Sequence, residues 1–305
     1  MFKKRYLIFV IVSLRATCAF AQQDDLALAR SYADRNLLPA AETEARRVSA
    51  AHPDSPDAHF LLGYILFREQ KARESLAEYT AGAKYRKPSA ADLRVVGADY
   101  VLLNDYEDAD KWFTKSTEFD PSNVLGWYYL GRTKYNENRF EEAIAAFKRC
   151  LDLAPRHVRA EDNLGLSYQG LGRYDEAYQA FKNAIDWQSN IADDSKDPWP
   201  YIDMGSFLIE TNRPQEAVPY LKQAIALVPD SPKAHQQLGK AYLAAKQFPA
   251  AQAELEAAVR LEPDSAPAHY VLGQLYQKEG QPDKARQEFA KYQQLNASKS
   301  PNKAQ

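Results

Sequence analysis

With 2 cysteines in 305 residues, the sequence cannot build a disulfide framework or a four-cysteine zinc site. It also lacks a strong charge of either sign. The 39 basic and 41 acidic side chains leave a formal net charge of -2, which offers no electrostatic case for nucleic acid. Long apolar runs are missing as well. The run at residues 7–14 falls far short of the roughly 20 residues that a membrane-spanning helix needs. No phosphate-binding glycine loop, G-x-S-x-G, H-E-x-x-H or clustered Cys/His spacing occurs. Metal, cofactor and catalytic chemistry are therefore not expected. The ordinary apolar and charged fractions, 45% and 26%, exclude wholesale disorder.

The first residues have the order of an export signal. Lys3, Lys4 and Arg5 precede the apolar run, and Ala19-Phe20-Ala21 supplies the small-x-small pattern of a cleavage site. Residues 1–21 are expected to be a signal peptide cut after Ala21, sending the protein to the periplasm or the exterior. A short retained anchor is the alternative. Cys18 does not make a lipoprotein signal, because Arg15 stands where an aliphatic residue belongs. Cleavage removes four positive charges and Cys18. The mature chain then has a net charge of -6 and a single thiol, Cys150. No integral membrane span is expected after cleavage.

Beyond that point one pattern repeats. Glycines fall at 63, 97, 131 and 165, and again at 205, 239 and 273, each 34 residues apart within its run. Alanines 41, 109, 143, 177, 217, 251 and 285 follow the glycine position by 12 residues, with Ser75 in the second repeat. Tyr79, Phe113, Phe147, Phe181 and Phe289 follow it by 16, with Leu221 and Leu255 in two repeats. Pro53, Pro121, Pro155, Pro229 and Pro263 follow it by 24, and Pro88 comes one residue late.

These residues resemble the tetratricopeptide repeat, a 34-residue helix–turn–helix unit. Leu164-Gly165-Leu166-Ser167-Tyr168, followed by Tyr174, Ala177 and Phe181, carries the likeness most clearly. The expected organisation is five repeats over 22–191, an insertion at 192–197, three repeats over 198–299 and a polar tail at 300–305. The first repeat is degenerate, with Ala29 in place of glycine. Glycine at position 8 lets the second helix approach closely, at a helix-propensity cost of about 1 kcal/mol. One helix pair cannot bury its apolar face, so neighbouring pairs must stack. The resemblance implies an all-α, right-handed solenoid whose concave groove is lined mainly by the first helix of each repeat.

Chemistry-bearing residues are few. His59, His235 and His269 share position 4, where the family often has tryptophan, and read as structural. Cys150 stands where other repeats have alanine, and reads as a buried small residue. The last helix, about 283–295, has a polar outer face suited to ending the stack.

If the family geometry holds, positions 2, 5, 9, 12 and 13 face the groove. They nominate Phe60, Tyr64, Phe67 and Arg68, then Arg94, then Tyr128, Arg132 and Tyr135. Phe60, Tyr64 and Phe67 form a second apolar row on a helix that already has one for its core. Such a row either packs against the next repeat or grips an apolar peptide. Arginines between rings suit carboxylates. Arg132 and Asn163 resemble part of a peptide-carboxylate clamp known in the family, whose remainder is missing here. Trp199 follows the insertion, which reads as a plain linker, with a hinge or ledge as alternatives. A protein or peptide partner is the expected ligand; the alternatives are an accessory factor for envelope, pilus or secretion-complex assembly, and a structural homo-oligomer formed through the aromatic row.

Overall fold

A computed structural model describes residues 26–189 and 195–299, and every regular element among them is helical. The expected signal peptide, insertion residues 192–194 and tail 300–305 lie outside the described residues. The chain divides into two compact units, Met1–Leu153 and Ala154–Gln305. The division falls between two helix pairs, not at the insertion. The first unit contains α1 (26–34), α2 (Leu38–Ala51), α3 (Pro56–Arg68), α4 (Ala72–Ala83), α5 (Ala90–Leu102), α6 (Tyr106–Phe119), α7 (Val124–Asn136) and α8 (Phe140–Leu153). The second contains α9 (Val158–Gly170), α10 (Tyr174–Trp187), α11 (Trp199–Glu210), α12 (Pro214–Leu227), α13 (Pro232–Ala244), α14 (Phe248–Leu261), α15 (Ala266–Lys278) and α16 (Pro282–Lys299). Within each unit, odd-numbered helices pack on the even-numbered helix that follows and on the next odd-numbered helix. Each unit is thus an all-α stack of helix–turn–helix repeats, the α-solenoid architecture.

The periodic glycines are the close contacts of this stack. A Cβ placed on Gly63, Gly97, Gly131, Gly165, Gly205, Gly239 or Gly273 would lie 2.5–2.9 Å from the side chain 16 residues later. Those partners are the repeated aromatics and leucines, and Phe113, Phe147, Phe181, Leu221 and Leu255 are fully buried. The degenerate first repeat obeys the same rule in reverse. Ala29 brings a methyl group, and the residue 16 positions on is Ala45 instead of a ring, with both fully buried. Size complementarity therefore holds where the consensus does not.

The turn inside each repeat is equally regular. Asn36, Gln70, Asn104, Asn138, Gly172, Asn212, Lys246 and Gly280 occupy equivalent positions, and all have φ between 59° and 72°. This left-handed residue ends the first helix in a Schellman motif, shown by Asn138 N–H to Tyr135 C=O at 2.9 Å and Arg139 N–H to Lys134 C=O at 2.9 Å. Asparagine and glycine tolerate that backbone, which explains six of the eight choices.

In four repeats position 4 pins the first helix to the loop before it. The Trp127 indole N–H donates to the Pro121 carbonyl at 2.9 Å. His59, His235 and His269 place Nε2 2.9–3.0 Å from the carbonyls of Pro53, Pro229 and Pro263, each six residues back. Their Nδ1 atoms lie 2.5–2.6 Å from Glu78, Glu254 and Glu288 on the following helix. Histidine thus repeats the tryptophan hydrogen bond and adds one to the second helix. Helix α16 runs to Lys299, beyond the end expected for the last helix, with Ala285 and Leu295 buried.

Candidate functional site

The groove positions divide once side chains are placed. Phe60 is buried, stacked on Tyr79 at 5.7 Å, and joins Val95 and Val96 in the core. It fits because position 82 is glycine: a Cβ there would come within 2.6 Å of the ring. Phe67 is half-buried against the same cluster. Tyr128 is buried beside Tyr129 and Phe147, and Tyr135 packs on Phe140 at 5.6 Å. Packing therefore accounts for these four rings, against the next repeat for Phe60 and Phe67 and within their own repeat for Tyr128 and Tyr135, and Phe60 and Tyr128 are corrected from groove residues to core residues. Arg68 is corrected as well. Its guanidinium donates to the Ala33 carbonyl at 2.7 Å and to Asn36 Oδ1 at 2.8 Å, closing the end of α1.

What stays open in the first unit is Tyr64, 38% exposed, with Arg94 and Arg132. Arg94 and Arg132 lie 5.9 and 5.8 Å from the ring centres of Tyr129 and Tyr128, so arginine–ring pairing holds while the rings themselves are partly inside. Tyr64 lines a cleft of about 500 Å³ with Arg30, Asp57, Arg86, Lys87 and Phe119. Arg86 donates to Asp57 at 2.7 Å and covers the Phe60 ring at 5.2 Å. Both partners are half-exposed, so the ion pair orients more than it stabilises.

Arg86, Lys87 and Phe119 were not nominated from the sequence. Arg86 and Lys87 arrive because α4 stops at Ala83, and residues 84–89 form a longer connection than the others between repeats of the first unit; Phe119 is the last residue of α6. The proline one residue out of register was the available signal. A second cleft of about 420 Å³ lies against the same connection and is lined by Lys87, Pro88, Leu93, Trp112, Lys115 and Phe119.

In the second unit, the Asn163 amide donates to its own helix at Arg159 C=O, 2.7 Å away. That bond uses the amide within α9. Trp199 is half-exposed at the start of α11. The chain entering α11 is tied down. Gln188 exchanges two hydrogen bonds with the Asp197 backbone at 2.9 and 3.1 Å, and Arg159 pairs with the Asp197 carboxylate at 2.7 Å. The described end of the insertion is thus anchored to α9 and α10.

Buried acids are the other unexpected feature. Burial pushes Asp99 up to about 7, with Ser75 Oγ 2.6 Å from Oδ2. Burial also holds Asp162 well above the usual carboxylate range and lifts Asp203 to about 6. After burial, the charge of the Asp203 carboxyl is the next influence raising Asp162, so the pair favours keeping a proton. Burial raises the Cys150 thiol to about 11, an unreactive state. Among the described residues, no group of three or more His, Cys, Asp or Glu side chains could hold a metal ion, and no helix is long and apolar enough to cross a membrane.

Tetratricopeptide repeat family models match residues 26–91, 124–157, 156–230, 208–260 and 244–300. No curated protein matches the sequence significantly. Among solved structures, the APC/C hetero-tetramer Cut9–Hcn1 is similar over 88% of this chain, at 19% identity and a TM-score of 0.65; the match covers 51% of that chain, about half its length. A tetratricopeptide repeat protein from Parabacteroides merdae is similar over 83% of this chain and 98% of its own, at 18% identity and a TM-score of 0.67. Pseudomonas aeruginosa pilF is similar over 68% of this chain and 97% of its own, at 18% identity and a TM-score of 0.56. Likeness at these identities concerns the fold alone.

Proposed function

The chain belongs to the tetratricopeptide repeat family, a scaffold for protein–protein interaction, and on that premise we propose that it is an exported scaffold holding an extended peptide segment on its first unit. The observation that carries this reading is the cleft at Tyr64, where an exposed ring stands among Arg30, Arg86 and Lys87. Tyrosine and arginine are the side chains most often found anchoring protein interfaces. The groove positions farther along the unit, Arg94 and Arg132, extend the same mixture of rings and guanidinium groups. A segment carrying aromatic or aliphatic side chains and carboxylates suits that surface.

Export rests on the order of charged, apolar and small residues over positions 3–21. The protein isolated from its host should begin at Gln22 and be recovered outside the cytoplasm. Retention of Met1 would contradict export by cleavage.

The binding reading is tested by capture from host envelope extract with unaltered protein and with an Arg30→Ala/Tyr64→Ala variant. Both positions are exposed, so the variant should fold normally. Loss of an anchor pair should reduce partner recovery by about tenfold or more. Equal recovery by both proteins would remove the cleft from the binding surface. A change in the protein's own mass in solution, without a captured partner, would favour self-association instead.

A further inference from the structure

The second cleft lies beside the first and has a different character. Its apolar wall is Pro88, Leu93, Trp112 and Phe119, with Phe119 51% exposed, large for a phenylalanine without a role in the core. Two ammonium groups lie over those rings. Lys87 Nζ is 4.8 Å from the Phe119 ring centre, and Lys115 Nζ is 4.2 Å from that of Trp112. Neither lysine makes an ion pair among the described residues, whereas Lys71, Lys111 and Lys134 in the same unit each do. Glu118 also lines the cleft, leaving one positive charge in excess on a chain that is negative overall. The cleft sits where α5 begins and α6 ends; it shares Lys87, Pro88 and Phe119 with the first cleft, whereas Trp112 and Lys115 belong to it alone and Arg30 and Tyr64 to the first alone.

We propose that this cleft is a second docking site, and that it takes an acidic segment of a partner protein anchored by one aromatic side chain. A lysine lying over a ring satisfies only part of its charge. Its ammonium has three N–H donors, and a carboxylate can accept from one of them while the ring keeps its face contact. Two such lysines on neighbouring rings favour a segment with more than one carboxylate. The apolar wall between them favours an aromatic residue beside the acids, because an apolar face opposite charge alone would stay wet. The loop at 84–89 makes the site: its extra length brings Lys87 and Pro88 over α6, an arrangement that the regular repeats do not have.

The test is fluorescence anisotropy with the full chain and a fluorescein-labelled nine-residue peptide having a central tryptophan followed by three aspartates. One comparison peptide replaces the aspartates by lysines, and another replaces the tryptophan by alanine. The acidic tryptophan peptide should bind about tenfold or more tightly than either comparison peptide, and more weakly as salt rises. Lys87→Glu/Lys115→Glu should abolish most of that preference without altering the circular-dichroism melt, and Phe119→Ala should weaken binding through the ring alone. Arg30→Ala/Tyr64→Ala should leave the affinity unchanged, which separates this site from the first cleft. Equal binding of all three peptides, no binding of any, or undiminished binding by the double lysine variant would overturn the proposal. So would a concentration-dependent dimer abolished by the lysine variant, since a second copy would then be the occupant.

Discussion

Gly131→Ala should destabilise the first unit by up to about 2 kcal/mol, although alanine is the better helix former. The added Cβ would meet the Phe147 ring at 2.7 Å, and that ring is fully buried with no free space to enter. Overpacking a dense core typically costs about 1–3 kcal/mol, from which roughly 1 kcal/mol of helix propensity is recovered. Phe147→Ala alone should cost about 3–5 kcal/mol by leaving a cavity. The two together should not add. With the ring gone there is nothing for the methyl to strike, and the pair becomes the combination already present at Ala29 and Ala45. The double variant should therefore lie near Phe147→Ala or slightly above it in stability, a coupling of about 1–3 kcal/mol. Urea denaturation of the four proteins measures this. Additive losses would mean that the glycine period has some cause other than room for the ring.

Asp99→Asn should stabilise the protein at pH 8 and change little at pH 4. Burial raises Asp99 from 3.8 to about 7, so the folded chain holds a proton that the unfolded chain releases between those values. Stability from this group is fully present below pH 4 and is lost as pH rises through 7. About three units correspond to roughly 4 kcal/mol at pH 8 as an upper bound. The hydrogen bonds point the same way. Ser75 Oγ lies 2.8 Å from the Gly63 carbonyl and 2.6 Å from Asp99 Oδ2, and one hydroxyl proton cannot serve both. A protonated Asp99 donates to Ser75, which donates to Gly63, and an asparagine amide can take the same donor role. Asp162 and Asp203 in the second unit add a pH dependence of the same sign, which the substitution leaves in place. Melting curves of wild type and variant between pH 4 and 8 should converge at the acid end and separate toward the alkaline end. Parallel curves, or a less stable variant at pH 8, would contradict this account.

Most of the fold was legible because it is written in spacing. The glycine, alanine, aromatic and proline periods each correspond to a contact made again in successive repeats. The asparagines at the inner turn went unread, although their recurrence where the backbone turns left-handed was there to be seen. Less visible was why histidine replaces tryptophan at position 4. That depends on a proline carbonyl six residues earlier and a glutamate 19 residues later. Ser75 looked like a neutral exception to the alanine rule, yet it is the partner of a buried acid.

The site was legible only in outline. Helical position alone put Phe60 in the groove, but its burial depends on Gly82, 22 residues away, leaving room for the ring. Helical position likewise put Arg68 in the groove, while its commitment to the end of α1 depends on a carbonyl in the preceding repeat. Arg86 and Lys87 escaped because they lie on a connection two residues longer than the others between repeats of the first unit, and Phe119 because it ends α6 beside that connection. A one-residue displacement of Pro88 was its sole trace in the periodic pattern.

The central claim is that a protein partner contacts the open ring at Tyr64. The most direct measurement is photo-crosslinking in the living host, with benzoylphenylalanine placed singly at Tyr64 and at Arg73, an exposed position on α4. The account predicts a discrete adduct with another protein from position 64 and none above background from position 73. Equal adducts from both positions, or none from position 64, would contradict it.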